Sequence, residues 1–146
     1  MSEAANDARV DNETGVLDTN AVILMSRLSE PSHLPRFPVI TTITLAELSV
    51  GPQVAGSERE RVARQAHLQQ AEADFEPLPF DAAAARAFGR VASDLRHGGR
   101  KTRARAYDAL IAAVALSRGL PLYTANPDDF RGISDLEVVE IPVPDT

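Results

Sequence analysis

The stretch GVLDTNAVILM, residues 15–25, decides how the ordered part of this chain begins. Its β-type apolar start runs into Asp18, and apolar character resumes at Ala21. A carboxylate that follows a buried strand loses its hydration, which costs several kcal/mol when nothing compensates the charge. The pattern therefore predicts either that Asp18 caps the following helix or that a cation neutralises it.

The chain has the size and composition of a single globular domain. It has 146 residues, 44% of them hydrophobic and 25% charged, and it has no cysteine, which excludes disulfides, thiolate nucleophiles and cysteine-ligated zinc. The longest charge-free apolar run, ALIAAVAL at 109–116, is too short for a membrane span, which needs about 18 residues. The first residues lack the features of a signal peptide. We therefore expect a cytoplasmic protein.

The net charge of −6 is unevenly distributed. Residues 1–14 carry four acids against one arginine, and residues 128–146 carry six acids against one arginine, which leaves +2 for residues 15–127. The segment RHGGRKTRAR at 96–105 contains five lysines and arginines. A mildly basic body with one dense basic run is compatible with an RNA or DNA partner.

Short apolar runs alternate with helical patterns after a polar leader, residues 1–14, which we expect to be disordered. The predicted strands are GVLD (15–18), VITT (39–42), EPLPF (76–80), LPLYT (120–124) and LEVVEI (136–141). The predicted helices cover about 20–28, 43–51, 57–75 with Ser57 as N-cap, 82–97 with Asp81 as N-cap, and 103–118. Strands separated by helices imply parallel βαβ units, so residues 15–146 are predicted to form an α/β domain, a three-layer α/β/α sandwich with a mostly parallel sheet.

Acidic residues follow several of the predicted strands, at the edge where parallel sheets bind ligands. Asp18 ends the first strand, Glu47 lies in the helix after VITT, and Asp108 lies early in the helix 103–118. The segment TANPDDF (124–130) follows LPLYT. Each has a local alternative, namely a helix cap, a solvated charge, a helix-dipole partner and a capped turn. Their shared location favours instead a convergence of carboxylates at one edge.

Clustered carboxylates raise one another's pKa unless a cation neutralises them. An all-oxygen site suits Mg²⁺ or Mn²⁺, and such a site is typical of metal-assisted phosphoryl chemistry. Zinc is disfavoured, because cysteine is absent and His33, His67 and His97 form no ligand-spaced motif. We expect all three histidines at the surface.

Four segments, in this order and spacing, closely resemble the PIN-domain ribonucleases, and in particular the VapC-type toxins of bacterial toxin–antitoxin pairs. They are VLDTNAVI, TTITLAEL, YDALIAAVAL and LPLYTANPDDF, and the resemblance covers about residues 15–141. It implies a Mg²⁺-dependent endoribonuclease that hydrolyses RNA phosphodiester bonds. It also implies inhibition by a VapB-like antitoxin and a homodimeric state.

The resemblance also assigns roles to the residues of the first three motifs. Asp18 and Asp108 would be the principal metal ligands. Glu47 would complete an acidic triad, through a water or by assisting the nucleophile. Thr19 and Asn20 would fix the carboxylate of Asp18.

The fourth motif departs from the family pattern. Thr124 supplies the expected hydroxyl, but many PIN domains carry an aspartate two residues later, where this chain has Asn126. A neutral amide adds no charge, which disfavours a second tightly bound metal. Asp129 is expected to supply the fourth carboxylate, and Asp128 is the weaker candidate.

Two further segments suggest contacts with partners. The basic run 96–105 is either a solvated junction or a phosphate clamp in which Arg100, Lys101 and Arg103 contact RNA. The segment LAELSVG and the helix 57–75 carry more apolar residues than one sheet face needs. We hypothesise a groove there for an amphipathic antitoxin helix, with core packing as the alternative.

Two other functions are weaker interpretations of the sequence. A catalytically inactive PIN-like module that binds RNA or protein gains nothing from clustered charges, yet Asp18, Glu47 and Asp108 are all present. A haloacid-dehalogenase phosphatase needs a second aspartate two residues after the first, where this chain has Asn20, and it needs a downstream lysine that is not evident.

Overall fold

The computed structural model describes residues 13–25, 27–28, 33–99 and 105–143, which form four strands and five α-helices. The strands are β1 (Thr14–Leu17), β2 (Phe37–Val39), β3 (Leu122–Thr124) and β4 (Val138–Glu140). The helices are α1 (Thr19–Met25), α2 (Thr42–Gln53), α3 (Glu58–Asp74), α4 (Ala82–His97) and α5 (Ala106–Arg118), and a short 3₁₀ helix (Pro127–Phe130) follows β3. Within the described ranges, no helix combines the length and the apolar composition needed to cross a bilayer.

The strands form one parallel sheet in the order β2-β1-β3-β4. In the central pair, Leu17 of β1 lies opposite Tyr123 of β3. The residues that follow, Asp18 just after β1 and Thr124 at the end of β3, therefore lie side by side at the carboxyl edge of the sheet. Gly15 makes this pairing compatible with the Tyr123 ring, because a Cβ at residue 15 would overlap that ring.

Each face of the sheet is covered by helices. Val16 and Leu122 pack in a buried cluster with residues of α4 and α5, whereas Leu17 and Tyr123 face a second cluster with residues of α1 and α3. This division follows from the alternation of side chains along a strand. It confirms the predicted three-layer α/β/α sandwich with a parallel sheet.

Several helix ends lie where the sequence signals place them. The Ser57 hydroxyl accepts the Glu60 N–H at 3.2 Å, and the Asp81 carboxylate accepts a backbone N–H in the first turn of α4 at 3.0 Å. α5 ends at Gly119, which adopts the left-handed conformation with φ of 66°. The Glu60 carboxylate accepts the N–H of Gly56, one residue earlier than a capping box requires.

Several predicted elements differ from the observed ones, and two of these differences have a clear physical cause. α2 does not end at Gly51 but continues to Gln53, because Pro52 is buried one turn after the buried Leu48 and packing keeps the last turn helical. EPLPF is not a strand: Leu78 forms a single bridge with Thr41. The prolines on both sides of Leu78 lack the N–H that would extend the ladder.

The first strand begins close to where the sequence predicts it. β1 begins at Thr14, one residue before the predicted boundary at residue 15. Most of the leader, residues 1–12, lies outside the described residues, so its predicted disorder stays a prediction.

Candidate active site

Asp18 is tied to two elements at the carboxyl edge of the sheet. The residue is only 5% exposed. One carboxylate oxygen, Oδ1, accepts the Ala21 N–H at 2.9 Å, and the other, Oδ2, accepts the Thr124 hydroxyl at 2.6 Å. Asp18 therefore caps α1, as one interpretation of the sequence proposed, and it is also fixed to the end of β3.

Thr124 organises the turn that follows β3. Its buried hydroxyl donates to Asp18 and accepts the Asn126 N–H at 3.0 Å. The Asn126 residue itself is exposed. Of the two following acids, Asp128 is exposed and paired with Arg131, whereas Asp129 is three-quarters buried and lies by the other acids. The structure thus separates the two candidates for the fourth carboxylate.

Glu47 extends from α2 towards the start of α1. It accepts a hydrogen bond from the Thr19 hydroxyl, which also lies 3.1 Å from the hydroxyl of Thr44. Thr19 was expected to fix Asp18, and this expectation is wrong. Asp18 accepts from Ala21 and Thr124, whereas the hydroxyl of Thr19, the next residue along the chain, points to α2 and donates to Glu47.

Two residues near Thr19 and Glu47 differ from the sequence prediction. Asn20, the other residue expected to orient Asp18, is exposed. Thr44, absent from the predicted set, is buried and lies three residues before Glu47 in TTITLAEL. That i, i+3 spacing on one helix face is the signal that identifies it.

Asp108 lies in the first turn of α5 and faces Asp129 and an arginine. The guanidinium Nη1 of Arg105 is 2.7 Å from Asp129 Oδ1 and 4.0 Å from Asp108 Oδ2. Arg105 belongs to the predicted basic run, but the sequence did not mark it as a site residue. Its position three residues before Asp108 in the sequence was the available signal.

The four acids, Asp18, Glu47, Asp108 and Asp129, form what we call the carboxylate cluster. Burial raises the pKa of Asp18, Glu47 and Asp108. The pKa of Asp108 rises to about 6, through burial first and then through the charges of Asp129, Asp18 and Glu47. The charge of Asp129 also raises the pKa of Asp18, and that of Asp18 raises the pKa of Glu47. The fold therefore brings the four together, at an electrostatic cost that a cation would relieve.

The cluster fits a hard divalent cation by its donor chemistry, because its donors are carboxylate and hydroxyl oxygens. As the side chains are arranged, no three acidic or histidine side chains of the described residues stand close enough to enclose one ion. The Arg105 guanidinium lies against Asp129 and Asp108 in this arrangement. An ion held by three of these carboxylates at once would therefore require side-chain movement.

One cavity reaches Glu47 of the cluster, and a second cavity adjoins the first. The smaller, about 260 Å³, is lined by Thr19 and Glu47 together with Ile23, Leu48, Gly51, Arg64 and His67. The larger, about 390 Å³, lies between α1 and α3, and we call it the α1–α3 groove. Its lining residues are Val22, Ile23, Met25, Ala66, His67, Gln70, Ala71, Asp74 and Phe75. Because Ile23 and His67 line both cavities, the groove leads towards Glu47.

Two of the three histidines are at the surface, as the sequence predicts. His33 and His97 are exposed, as expected, whereas His67 is half-buried between the two cavities. The predicted RNA contacts Arg100, Lys101 and Arg103 lie outside the described residues.

The family model of the PIN domain matches residues 15–136, a range that contains all four acids of the carboxylate cluster. The chain belongs to the PIN domain family. This confirms the family that the four sequence motifs indicated.

The similar proteins are named VapC ribonucleases or VapBC toxin–antitoxin complexes. The PIN domain described here is 41% identical over 129 residues to Ribonuclease VapC5 of Mycobacterium tuberculosis, covering 87% of this chain and 93% of that protein. It is 29% identical over 130 residues to Ribonuclease VapC1 of Rickettsia felis, covering 86% and 95%. The crystal structure of VapBC-5 from M. tuberculosis, a member of the VapBC family of toxin–antitoxin systems, contains a chain with a TM-score of 0.75 and 36% identity, covering 88% of this chain and 99% of that one.

Proposed function

We propose that this PIN domain is a metal-dependent endoribonuclease and the toxin of a type II toxin–antitoxin pair. The observation that carries the proposal is the carboxylate cluster, whose four acids come from separate parts of the chain, and in which burial and neighbouring charges raise the pKa of Asp18, Glu47 and Asp108. The names of the similar proteins, Ribonuclease VapC5 and Ribonuclease VapC1, support the same activity and substrate class.

The residues of the cluster have distinct roles in this proposal. Asp18, Asp108 and Asp129 would hold one Mg²⁺ or Mn²⁺, which when bound lowers the pKa of a water and polarises a phosphate oxygen. Thr124 keeps the Asp18 carboxylate in place through its 2.6 Å hydrogen bond. Glu47, held by Thr19, would accept the proton of the attacking water.

A cleavage assay tests the proposal. We expect the wild-type chain to cleave RNA with Mg²⁺ and to lose this activity in EDTA, and we expect Asp108→Asn to be inactive in both. Asp128→Asn is the matched control, since it removes the same charge from an exposed residue paired with Arg131, and it should keep its activity. Equal, metal-independent cleavage by wild type and Asp108→Asn would contradict the assignment. RNA binding without cleavage would favour the inactive module instead.

We also propose that the basic run 96–105 contacts the phosphates of the RNA. Replacing Arg100, Lys101 and Arg103 with alanine should weaken RNA binding and flatten its salt dependence, by about 0.7 in the logarithmic slope for each phosphate that is no longer neutralised. A filter-binding series at several salt concentrations measures both effects. The matched control replaces three exposed arginines elsewhere, Arg59, Arg61 and Arg86. Unchanged binding by the first variant would refute the phosphate clamp.

The α1–α3 groove supplies a proposal for the antitoxin. Its walls include the apolar side chains of Val22, Ile23 and Met25, and polar residues of α3 lie among the others. An amphipathic helix buries its apolar face in a groove of this kind. Because the neighbouring cavity contains Glu47, a VapB-like antitoxin bound here would also block the carboxylate cluster.

A matched pair of substitutions tests the antitoxin groove. Ala66 and Ala63 are both exposed on α3, but only Ala66 lines the groove. Ala66→Arg should weaken the complex with a co-expressed cognate antitoxin, whereas Ala63→Arg should leave it unchanged. Equal retention of the antitoxin by both variants would place the partner elsewhere.

Two expectations from the resemblance stay predictions. Analytical ultracentrifugation of the purified chain tests the homodimer. Fractionation of the host cell tests the cytoplasmic location.

A further inference from the structure

Arg105 directly precedes α5 and places its guanidinium against the outer part of the carboxylate cluster. Its Nη1 lies 2.7 Å from Asp129 Oδ1 and 4.0 Å from Asp108 Oδ2. In the described part of the chain, Arg105 is the only basic side chain within 4.0 Å of either carboxylate. Arg105 therefore acts as a counter-ion to two acids of the carboxylate cluster.

The position of this counter-ion conflicts with that of a bound metal. An ion that takes an oxygen of Asp129 at about 2.1 Å would come within a few ångströms of a guanidinium on the same carboxylate, and two cations at that separation repel. The Arg105 side chain is 42% exposed, so it can turn into solvent without disrupting the core. In the arrangement that the structure shows, a metal on Asp129 would therefore lie next to the positive charge of Arg105.

We propose that Arg105 is an internal counter-ion that competes with the metal for Asp108 and Asp129. This inference rests on the proposed function, because it takes these carboxylates as ligands. In the metal-free protein, Arg105 offsets the repulsion among the acids and keeps the cluster together. On metal binding it leaves Asp129, and the cost of breaking the ion pair lowers the metal affinity.

A calorimetric titration of the metal-free full-length chain with MnCl₂ tests this competition. Arg105→Gln should bind Mn²⁺ more tightly than wild type, by roughly three- to tenfold, since the ion no longer has to displace a paired arginine. Arg105→Lys should give an intermediate affinity, because it keeps the charge without the planar fork of the guanidinium. In EDTA, Arg105→Gln should also melt at a lower temperature than wild type, since the repulsion is no longer offset.

The matched control is Arg131→Gln. Arg131 lies just after the 3₁₀ helix Pro127–Phe130, which contains Asp129, and it pairs with Asp128. Its removal therefore changes the net charge by the same amount but leaves Arg105 paired with the cluster. Its Mn²⁺ affinity should stay within about twofold of wild type. An equal gain in Arg131→Gln would reduce the effect to net charge and overturn the inference.

Two further results have different consequences. Unchanged or weaker Mn²⁺ binding by Arg105→Gln, with wild type binding normally, would show that Arg105 does not compete and would leave the proposed function standing. Absence of Mn²⁺ binding by wild type and by every variant would contradict both the proposed function and this inference.

Discussion

Compared with Asp108 and Asp129, which face an arginine, Asp18 and Glu47 are held by neutral hydroxyls. Thr124 and Thr19 donate to this inner half of the cluster, Asp18 and Glu47, whereas Arg105 balances the outer half, Asp108 and Asp129. A hydroxyl orients a carboxylate but leaves its charge in place. A guanidinium cancels charge, and it can also leave. The inner half is therefore prepared for a cation, and the outer half must exchange one cation for another.

Burial distinguishes Asp18 from the two acids of the outer half. Asp18 is 5% exposed, whereas the side chains of Asp108 and Asp129 are 29% and 25% exposed. A nearly buried carboxylate needs donors at fixed positions, which a helix start and a neighbouring strand provide. A partly exposed carboxylate can be balanced by a long side chain that keeps contact with water.

The largest predicted difference between the halves compares Asp18 with Asp129, the acid that Arg105 contacts at 2.7 Å. Asp18→Asn keeps an oxygen for the Ala21 N–H but removes the charge of the best-fixed ligand, so Mg²⁺-dependent RNA cleavage should fall by about 100-fold or more. Asp129→Asn should cost about tenfold, because it weakens a ligand that must first release Arg105. Initial cleavage rates at saturating Mg²⁺ measure both. A greater loss in Asp129→Asn than in Asp18→Asn would break the distinction between the halves.

A pair of threonine substitutions sharpens the comparison within the inner half. Thr124→Val leaves an oxygen of the buried Asp18 without its donor, which should lower the free energy of unfolding by about 1 to 3 kcal/mol. Thr19→Val should cost less, about 0.5 to 1 kcal/mol, because Glu47 is only half-buried and water can replace the hydroxyl. Urea unfolding in EDTA measures the two values. An equal or larger loss in Thr19→Val would contradict the role given to burial.

The pH dependence of stability tests the outer half, with a smaller expected effect. The pKa of Asp108 is raised from 3.8 to about 6, so the folded state binds the proton more tightly than the unfolded state. The stability of the metal-free protein should therefore fall as the pH rises from about 4 to about 6, by roughly 1 to 2 kcal/mol after screening by water. Unfolding in EDTA across this range should show the loss in wild type and a reduced loss in Asp108→Asn. Parallel curves of unfolding free energy against pH for the two proteins would contradict the raised pKa of Asp108.

The sequence predicted the features that depend on periodicity and capping. Strand and helix patterns depend only on residues that are close in the sequence. They therefore sufficed to predict that Asp18 and Asp108 lie at the carboxyl edge of the sheet and that Ser57 and Asp81 start helices. The partners of Thr19 and Arg105 were not predicted. They depend on which way a side chain turns after α1, α2 and α5 have packed, and no local pattern encodes that direction.

The most direct test of the central claim is the anomalous diffraction of manganese in a crystal of this chain soaked with MnCl₂. We expect one peak at about 2.1 Å from an Asp18 oxygen and from an oxygen of Asp108 or Asp129, with the Arg105 guanidinium withdrawn from Asp129. A peak that touches only one half of the cluster, or no peak while Arg105 stays on Asp129, would contradict a shared ion.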